Sequence, residues 1–342
     1  MDFEFSEEQE MLRTSVRAFL ADKCPISAVR AAYGTATFDD RSVWDGLAEL
    51  GVLELGMVDA AVVLEELGRA VSPAPYASSV IGARSLLPDL AGIGTVAIYE
   101  TSTRYDWARP QTRAIRDGEM WRLDGTKVHV ADATAADVFV VTARDDAGDL
   151  QLFETASAAA TVETSASIDG SRKQGVVVLD GSPARLVPHR DPHAAVARML
   201  DRLGVAYVVD GVGAAQRSLE LAVEYAKERV QFDRPIGAFQ AVQHLCADML
   251  RTVELGRAAA YYACWALEEA SPEEAHRAAT LARAYAADAF PQVGGTAIQV
   301  FGGIGFTWEH DIHLYFKRLL TLSVVLGSAG DHLEELATIA IE

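Results

Sequence analysis

Cysteine, basic residues and long apolar runs are all scarce in this chain. The three cysteines, Cys24, Cys246 and Cys264, are odd in number and lack metal-ligand spacing. They form no disulfide framework and suit a reducing cytoplasm. Cys246 and Cys264 fall in apolar helical pattern and are expected as buried thiols. No apolar run reaches about 18 residues, so a membrane span is not expected. Lys and Arg total 30 against 49 Asp and Glu, a formal charge of −19. That balance argues against nucleic acid, which demands a basic footprint, and against docking on anionic membranes. The acidic start MDFEFSEEQEML lacks the basic-then-apolar pattern of a secretory leader, and a cytoplasmic location is expected. What remains is a chain of 342 residues, half of them hydrophobic. That is enough for two or three domains with substantial cores. The surplus acid reads as a solvated face and says nothing about substrate.

Residues 1–93 read as helical. Ser6 to Gln9 fits a capping box, and Leu12, Val16, Phe19 and Leu20 recur at helical spacing. Pro25 ends or restarts that helix. Further helices are expected over 42–50 and 59–67, with Gly68 as the residue just past the second. Residues 94–192 change character, with short β-type runs at 95–99, 120–123, 138–142, 150–153, 176–179 and 184–187. Asp124-Gly125 and Asp180-Gly181 read as hairpin turns, and 156–160 as a surface loop. This spacing predicts a small antiparallel sheet. Residues 193–342 return to long, Ala-rich helices over 194–227 and 239–270. A third starts at Ser271-Pro272-Glu273-Glu274, a capping box with proline at N1, and a last one covers 331–341. Four such helices predict a bundle.

Two segments carry chemical information. The first is RVQFDRPIGAFQAVQHLCADM, from Arg229 to Met249. A guanidinium at a helix end offers a planar fork of donors suited to a pyrophosphate. The plainer reading is an arginine favouring a helix C-terminus. The second is QVFGGIG, from Gln299 to Gly305. Glycines there let backbone N–H groups approach an anion, or simply cap a helix. Together the segments closely resemble the two flavin-binding signatures of acyl-CoA dehydrogenases. The order of helices, sheet and bundle is also that of the family, and the likeness is strongest over 205–318. The resemblance implies a mainly α fold with a central β domain. Its parts would be an N-terminal helical domain (1–93), a small antiparallel β-sheet domain (94–192) and a C-terminal four-helix bundle (193–342). It implies FAD, contacted across a subunit boundary by Arg229, Gln231, Phe232, Gln299, Phe301, Gly302 and Gly303, with Ser328 at the flavin.

The departures from the family pattern matter as much. Asp233 stands where the family has glycine, and an acid near a pyrophosphate is unhelpful. In the strand where the family reads G-x-K-x-W-I-T-N-A, Gly125 to Ala133 place His129 for the tryptophan and Ala131 for the threonine. His129 could be an acid or base, but reads more simply as structural. The family's T-E-P and G-S-D signature is missing around 98–110. The proline- and glycine-rich loop expected after Gly56-Met57 is missing as well. Desaturation of an acyl thioester needs a carboxylate to take the α proton. The segment that carries it in the family reads Val325-Leu326-Gly327-Ser328 here, and leucine accepts no proton. The alternative family position, on the first bundle helix, aligns with Leu203. Asp201 nearby could serve only in a different register, and reads more simply as a surface acid at a helix start. No catalytic residue is therefore assigned. Trp308, His310 and His313 lack a ligand set for a metal and read as interface packing.

The expectation is an acyl-CoA dehydrogenase subunit in a hetero-oligomer, with a tetramer implied. A homologous partner would supply the base, acyl-CoA would be the substrate, and an electron-transfer flavoprotein the acceptor. The resemblance extends to short actinobacterial members paired in this way for sterol side-chain breakdown. Two alternatives are a self-sufficient homo-oligomer with a relocated base such as Asp201, and a flavin-free structural subunit.

Overall fold

A computed structural model describes residues 5–37, 40–101 and 105–341. The first four residues of the acidic start, and 102–104 of the 98–110 segment, lie outside them. The chain divides into two compact units: 1–30, 46–72 and 204–342 form one, and 31–45 and 73–203 the other.

The second unit is built on a seven-stranded sheet. Its strands are β1 (Gly94–Ala97), β2 (Arg113–Asp117), β3 (Met120–Ala131), β4 (Val138–Arg144), β5 (Leu150–Ala156), β6 (Thr161–Ser165) and β7 (Gln174–Val187). The order is β1-β4-β2-β3-β7-β5, β6 pairs β7, and β4 also pairs β5, so the central strands close on themselves. The sheet is mixed rather than antiparallel, because β4 runs parallel to both β1 and β2. Strands β2 and β6 were not foreseen, and the expected loop at 156–160 holds a 3-10 turn, Ser157–Ala159. The two Asp-Gly pairs are not hairpin turns. They face each other inside the β3–β7 ladder, where the register shifts between Leu123 and Gly125. Gly181 adopts φ +63, and its N–H donates to the Asp124 carboxylate at 2.8 Å. A bulge demands the same left-handed residue as a turn, so the local chemistry is ambiguous. The runs at 176–179 and 184–187 are consequently one long strand.

Lys127 is fully buried in this sheet. Its ammonium donates to Glu100 at 2.7 Å and Thr142 Oγ1 at 3.1 Å, and burial pushes it down to about 8. Glu100 in turn accepts from the Thr112 N–H and hydroxyl at 3.0 and 2.7 Å. A buried charge persists only when paired and hydrogen-bonded like this.

The first unit is helical. It contains α1 (Glu7–Lys23), α4 (Met57–Arg69), the greater part of α6 (Pro192–Glu228), α7 (Gln240–Glu269), α8 (Pro272–Phe301), α9 (Ile312–Thr321) and α10 (Ala329–Ile341). The shorter α-helices are α2 (Ile26–Tyr33), α3 (Ser42–Glu49) and α5 (Arg84–Leu86), the last continuing a π-helical turn, Ala77–Ala83. The Ser6–Gln9 capping box forms in both directions. Ser271 accepts from the Glu274 N–H, with Pro272 at the first helical position. The Glu274 side chain instead takes Tyr262 and Arg277. Cys264 is buried as expected, whereas Cys246 is only half-buried. Among the described residues, no helix is long and apolar enough to cross a membrane.

Gly68 does not end α4. It lies inside the helix, where a Cβ would sit 1.8 Å from the Asp210 carbonyl oxygen of α6. Reciprocally, a Cβ on Gly213 of α6 would sit 1.8 Å from the Glu65 carbonyl of α4. Two glycines thus let the helices cross backbone to backbone. Arg69 and Glu220 clamp the crossing with hydrogen bonds of 2.8 and 2.5 Å. Nearby, Asp210 receives the Arg318 guanidinium at 2.9 Å, and Arg318 also donates to the Ser72 carbonyl at 3.0 Å.

Gly68→Ala is expected to cost about 3 kcal/mol or more, at the upper end of overpacking, read as a lowered urea midpoint. The Arg69 clamp adds a pH dependence. Burial alone would raise the Glu220 carboxyl, but Arg69, Gln216 and Arg217 outweigh it and hold it at about 2. A depressed carboxylate stabilises the fold above its unfolded pKa of about 4.5, and loses that stabilisation as pH falls towards 2. The midpoint gap between wild type and Glu220→Gln should therefore shrink from pH 5 to pH 2; a constant gap would refute the linkage.

Candidate functional site

The site is built from two helix ends. α6 stops at Glu228, and the Arg229 N–H closes its last turn on the Tyr225 carbonyl at 2.8 Å. The chain then forms a hairpin of β8 (Val230–Gln231) and β9 (Arg234–Pro235). Its two turn residues, Phe232 and Asp233, have φ +53 and +60. A two-residue turn with both centres left-handed favours Gly, Asn or Asp. Asp233 therefore has a backbone reason to replace the family's glycine. Phe232 is 85% exposed at the tip and meets Phe239 edge-on, with ring centroids 6.0 Å apart. The Arg234 guanidinium lies 4.1 Å from the Phe239 ring centre and stiffens the hairpin base. Arg229 and Gln231 are exposed. Among the described residues nothing holds the Arg229 guanidinium, while the Gln231 amide donates to the Val230 carbonyl at 2.8 Å.

The second end is that of α8. Gly302, at φ +65 and ψ −140, turns the chain into a 3-10 segment, Gly302–Phe306. Only glycine adopts that backbone readily. In front of Gly302 and Gly303 a Cβ would meet nothing within 4 Å, so their backbone is open to a ligand. Gln299 is exposed beside them. Phe301 is different: at 4% exposed, it stacks on Tyr225 at 4.5 Å and on His310 at 4.2 Å. That sandwich joins the end of α6 to the end of α8, and so brings the Arg229 hairpin and the glycine turn together. Phe301 supports the site rather than facing it. Tyr225 escaped the sequence reading, although an aromatic one turn before Arg229 was the available signal.

The third element is the segment 325–328. Leu326 has φ +58 and Gly327 φ +124. Ser328 caps α10: its hydroxyl donates to Asp331 at 2.6 Å and accepts from the Asp331 N–H at 3.3 Å.

These three elements match known proteins. The family described as "Acyl-CoA dehydrogenase, C-terminal domain" matches residues 194–340, and "Acyl-CoA dehydrogenase, N-terminal domain" matches 6–97. Acyl-CoA dehydrogenase IpdE2 of Mycobacterium tuberculosis is 32% identical over 96% of either chain. The chain is an acyl-CoA dehydrogenase family member. Among solved structures, the Tcur3481-Tcur3483 steroid ACAD variant aligns with a TM-score of 0.87 at 30% identity, covering 98% of each chain. The ChsE4-ChsE5 complex from Mycobacterium tuberculosis aligns at 0.87 and 26% identity, covering 100% of this chain and 99% of that one. Butyryl-CoA dehydrogenase from Megasphaera elsdenii, at 0.91 and 19% identity over all of both chains, shares the fold. The three-part acyl-CoA dehydrogenase fold and an oxidoreductase acting on acyl-CoA follow from this membership.

The segment 325–328 adjoins a small cavity. This cavity of about 10 Å³ is lined by Gly204, Tyr207, Arg283, Val325 and His332 among others, and none of its lining residues is a carboxylate. Arg283 fills the space in front of Gly204, where a Cβ would be 2.5 Å from its Cδ. Glu335 reaches two of these lining residues, Arg283 and His332. His276 at 3.3 Å, then His332, and Arg283 at 3.6 Å hold its carboxyl far below the usual carboxylate range. So strongly stabilised a carboxylate is a poor proton acceptor. Leu203 is buried, and so is Asp201, which lies well inside α6 rather than on the surface at a helix start. His129 is exposed on a second bulge of β3 with φ +54, and the Ala131 carbonyl accepts from the Thr95 hydroxyl at 2.7 Å. At the start of α4, the missing loop is replaced by the Glu268 carboxylate of α7, which accepts from the Met57 and Val58 N–H groups.

The packing separates supporting from facing residues. Phe301→Ala should lower unfolding stability by about 3–5 kcal/mol. Phe232→Ala should change it by no more than about 0.5 kcal/mol. Equal losses in urea titrations would mean that the hairpin tip is structural.

Proposed function

We propose that this chain is one half of a hetero-oligomeric, FAD-dependent acyl-CoA dehydrogenase that desaturates a bulky, sterol-derived acyl thioester in the cytoplasm. The observation that carries this reading is the 325–328 segment. Leu326 stands where the resemblance places the base, and Glu335, beside the adjoining cavity, is engaged by an arginine and two histidines. A chain built this way needs a proton acceptor from elsewhere, and a homologous subunit is the natural source. The similar proteins support the pairing and the substrate class: one is named a steroid ACAD, another is the ChsE4-ChsE5 complex.

FAD fits the end of the bundle on its phosphate side. Arg229 offers an exposed fork of donors, and Gly302 and Gly303 present open backbone. Bound there, FAD would supply the two-electron acceptor for the β hydrogen of the acyl group. Arg229 would neutralise pyrophosphate charge, and Gln231 and Gln299 would hydrogen-bond beside it. Phe232 would seat its ring in the partner and shield the site from water. Ser328 keeps its hydroxyl on Asp331, which fixes the turn behind Leu326. The α proton would leave to the partner's carboxylate. Electrons would pass on to an electron-transfer flavoprotein.

A visible spectrum tests this reading, taken on the chain alone and then co-expressed with each glutamate-bearing acyl-CoA dehydrogenase chain of its host. Flavin absorbance only in a mixed complex is expected. Flavin and turnover with the chain alone would establish a homomeric enzyme, and Asp201→Asn would then test the relocated base. A colourless complex would mean a structural subunit. In the active complex, Arg229→Ala should weaken flavin retention about 10–100-fold, the worth of a charged hydrogen bond. Leu326→Ala should leave turnover within about twofold, since no proton passes through it.

A further inference from the structure

At the α4–α6 crossing the helical unit holds an open cleft of about 360 Å³, with Gly213 in its wall. Four arginines line it: Arg13 and Arg17 from α1, Arg69 from α4 and Arg257 from α7. The carboxylates beside them are almost all occupied. Glu66 accepts from Arg17 Nε and Nη2 at 2.8 and 2.6 Å. Glu65 accepts from Arg257 on one oxygen and from the Tyr261 hydroxyl, at 2.8 Å, on the other. Glu220 accepts from Arg69 on both oxygens, and from Gln216 and Arg217 as well. The guanidiniums are less fully used. Each carries five N–H groups. Among the described residues, Arg17 Nη1 and Arg69 Nε have no partner. Arg13 gives only Nη1, to Glu10 at 2.8 Å, and rests with its guanidinium 4.1 Å from the Phe5 ring centre.

Counted with Glu10 and Glu66, the charges around the cleft nearly balance, so net charge attracts nothing by itself. Availability decides instead: the acceptors are saturated while donors remain. Guanidinium forks match oxyanions, which can take two parallel hydrogen bonds from one arginine. Donors remain on α1 and on α4, so a ligand with two charged heads would reach both. The volume lies at the lower end for small-molecule sites, and so charged a lining does not suit an acyl chain. Glu220 stands nine residues before Arg229, about 13 Å along α6. The cleft is thus separate from the Arg229 hairpin and the glycine turn. One lining acid opposes an anion: Glu254 is half-exposed, and only Arg257 Nε approaches it, at 3.5 Å.

We propose that this cleft binds a small organic oxyanion with more than one charged head, a phosphate ester or a polycarboxylate, gripped by Arg13 and Arg17 on one side and Arg69 on the other. Isothermal titration calorimetry on the chain tests it, with pyrophosphate and citrate as probes. Saturable binding is expected, and the tighter probe tells a phosphate-bearing ligand from a polycarboxylate. NaCl at matched ionic strength should not raise the unfolding midpoint as the probe does. Arg13→Gln should weaken binding about tenfold or more, the worth of a charged hydrogen bond. Its unfolding midpoint without probe should stay near that of wild type, because an exposed ion pair contributes little. Glu254→Gln should tighten binding, by no more than about fivefold, since it removes the opposing acid. A purely structural set of ion pairs would not show that opposition. No saturable heat with either probe, a response reproduced by NaCl, or wild-type affinity in both variants would overturn the site. The measurement needs neither flavin nor partner, so its outcome is independent of the dehydrogenase reading.

Discussion

The helical unit depends on one close crossing. Gly68 and Gly213 leave out Cβ atoms that would push α4 and α6 apart, so carbonyl oxygens of each helix lie against the other. Asp210 takes part twice, through its carbonyl against Gly68 and through its carboxylate on Arg318. Arg318 is almost wholly buried, and it reaches the Ser72 carbonyl just beyond α4. Three helices, α4, α6 and α9, are thereby fixed at one point by a crossing that tolerates no side chain and an ion pair that tolerates no loss of either partner. Buried pairs of this kind contribute less to net stability than to the choice of one arrangement over others. Helices fixed in this way act as rods. α6 runs on to the Arg229 hairpin, and α9 follows the glycine turn, so a constraint deep in the bundle sets the aim of groups at its end.

The parts of this structure that could be read from sequence are those where one residue type has one local meaning. Ser6 with Gln9, and Ser271 with Pro272, mark helix starts because few other structures use those residues in that order. The Arg229 segment and the glycine turn were legible for a different reason, since both resemble a family's signatures. Asp-Gly misled because turns and bulges need the same left-handed backbone, and only the partner strand decides between them. Gly68 misled because a glycine near a helix end usually terminates it, whereas here the reason for glycine lies 142 positions away at Asp210. The Glu268 cap on α4 and the Tyr225–Phe301–His310 stack were invisible for the same reason. Long-range contacts leave no local pattern.

Electrostatics divides the titratable groups by the company they keep. Lys127 and Glu100 pair inside a sheet, Arg318 and Asp210 inside a helix crossing, and Glu335 with Arg283 and two histidines beside the Leu326 turn. Each of these carboxylates is occupied by a cation or a potential one. An acid serving as a base needs the opposite setting, one that raises its affinity for a proton.

The Leu326 turn separates shape from chemistry. Its path is held by the left-handed Gly327, by the Ser328–Asp331 cap and by His332 packed where a Cβ on Gly327 would go. None of these supports uses the side chain at 326. Such a position is an interchangeable socket: its occupant can gain or lose a reactive group while the surrounding architecture is inherited intact. Duplicated genes that begin as identical enzymes can in this way divide one active site between them, a single substitution at a time.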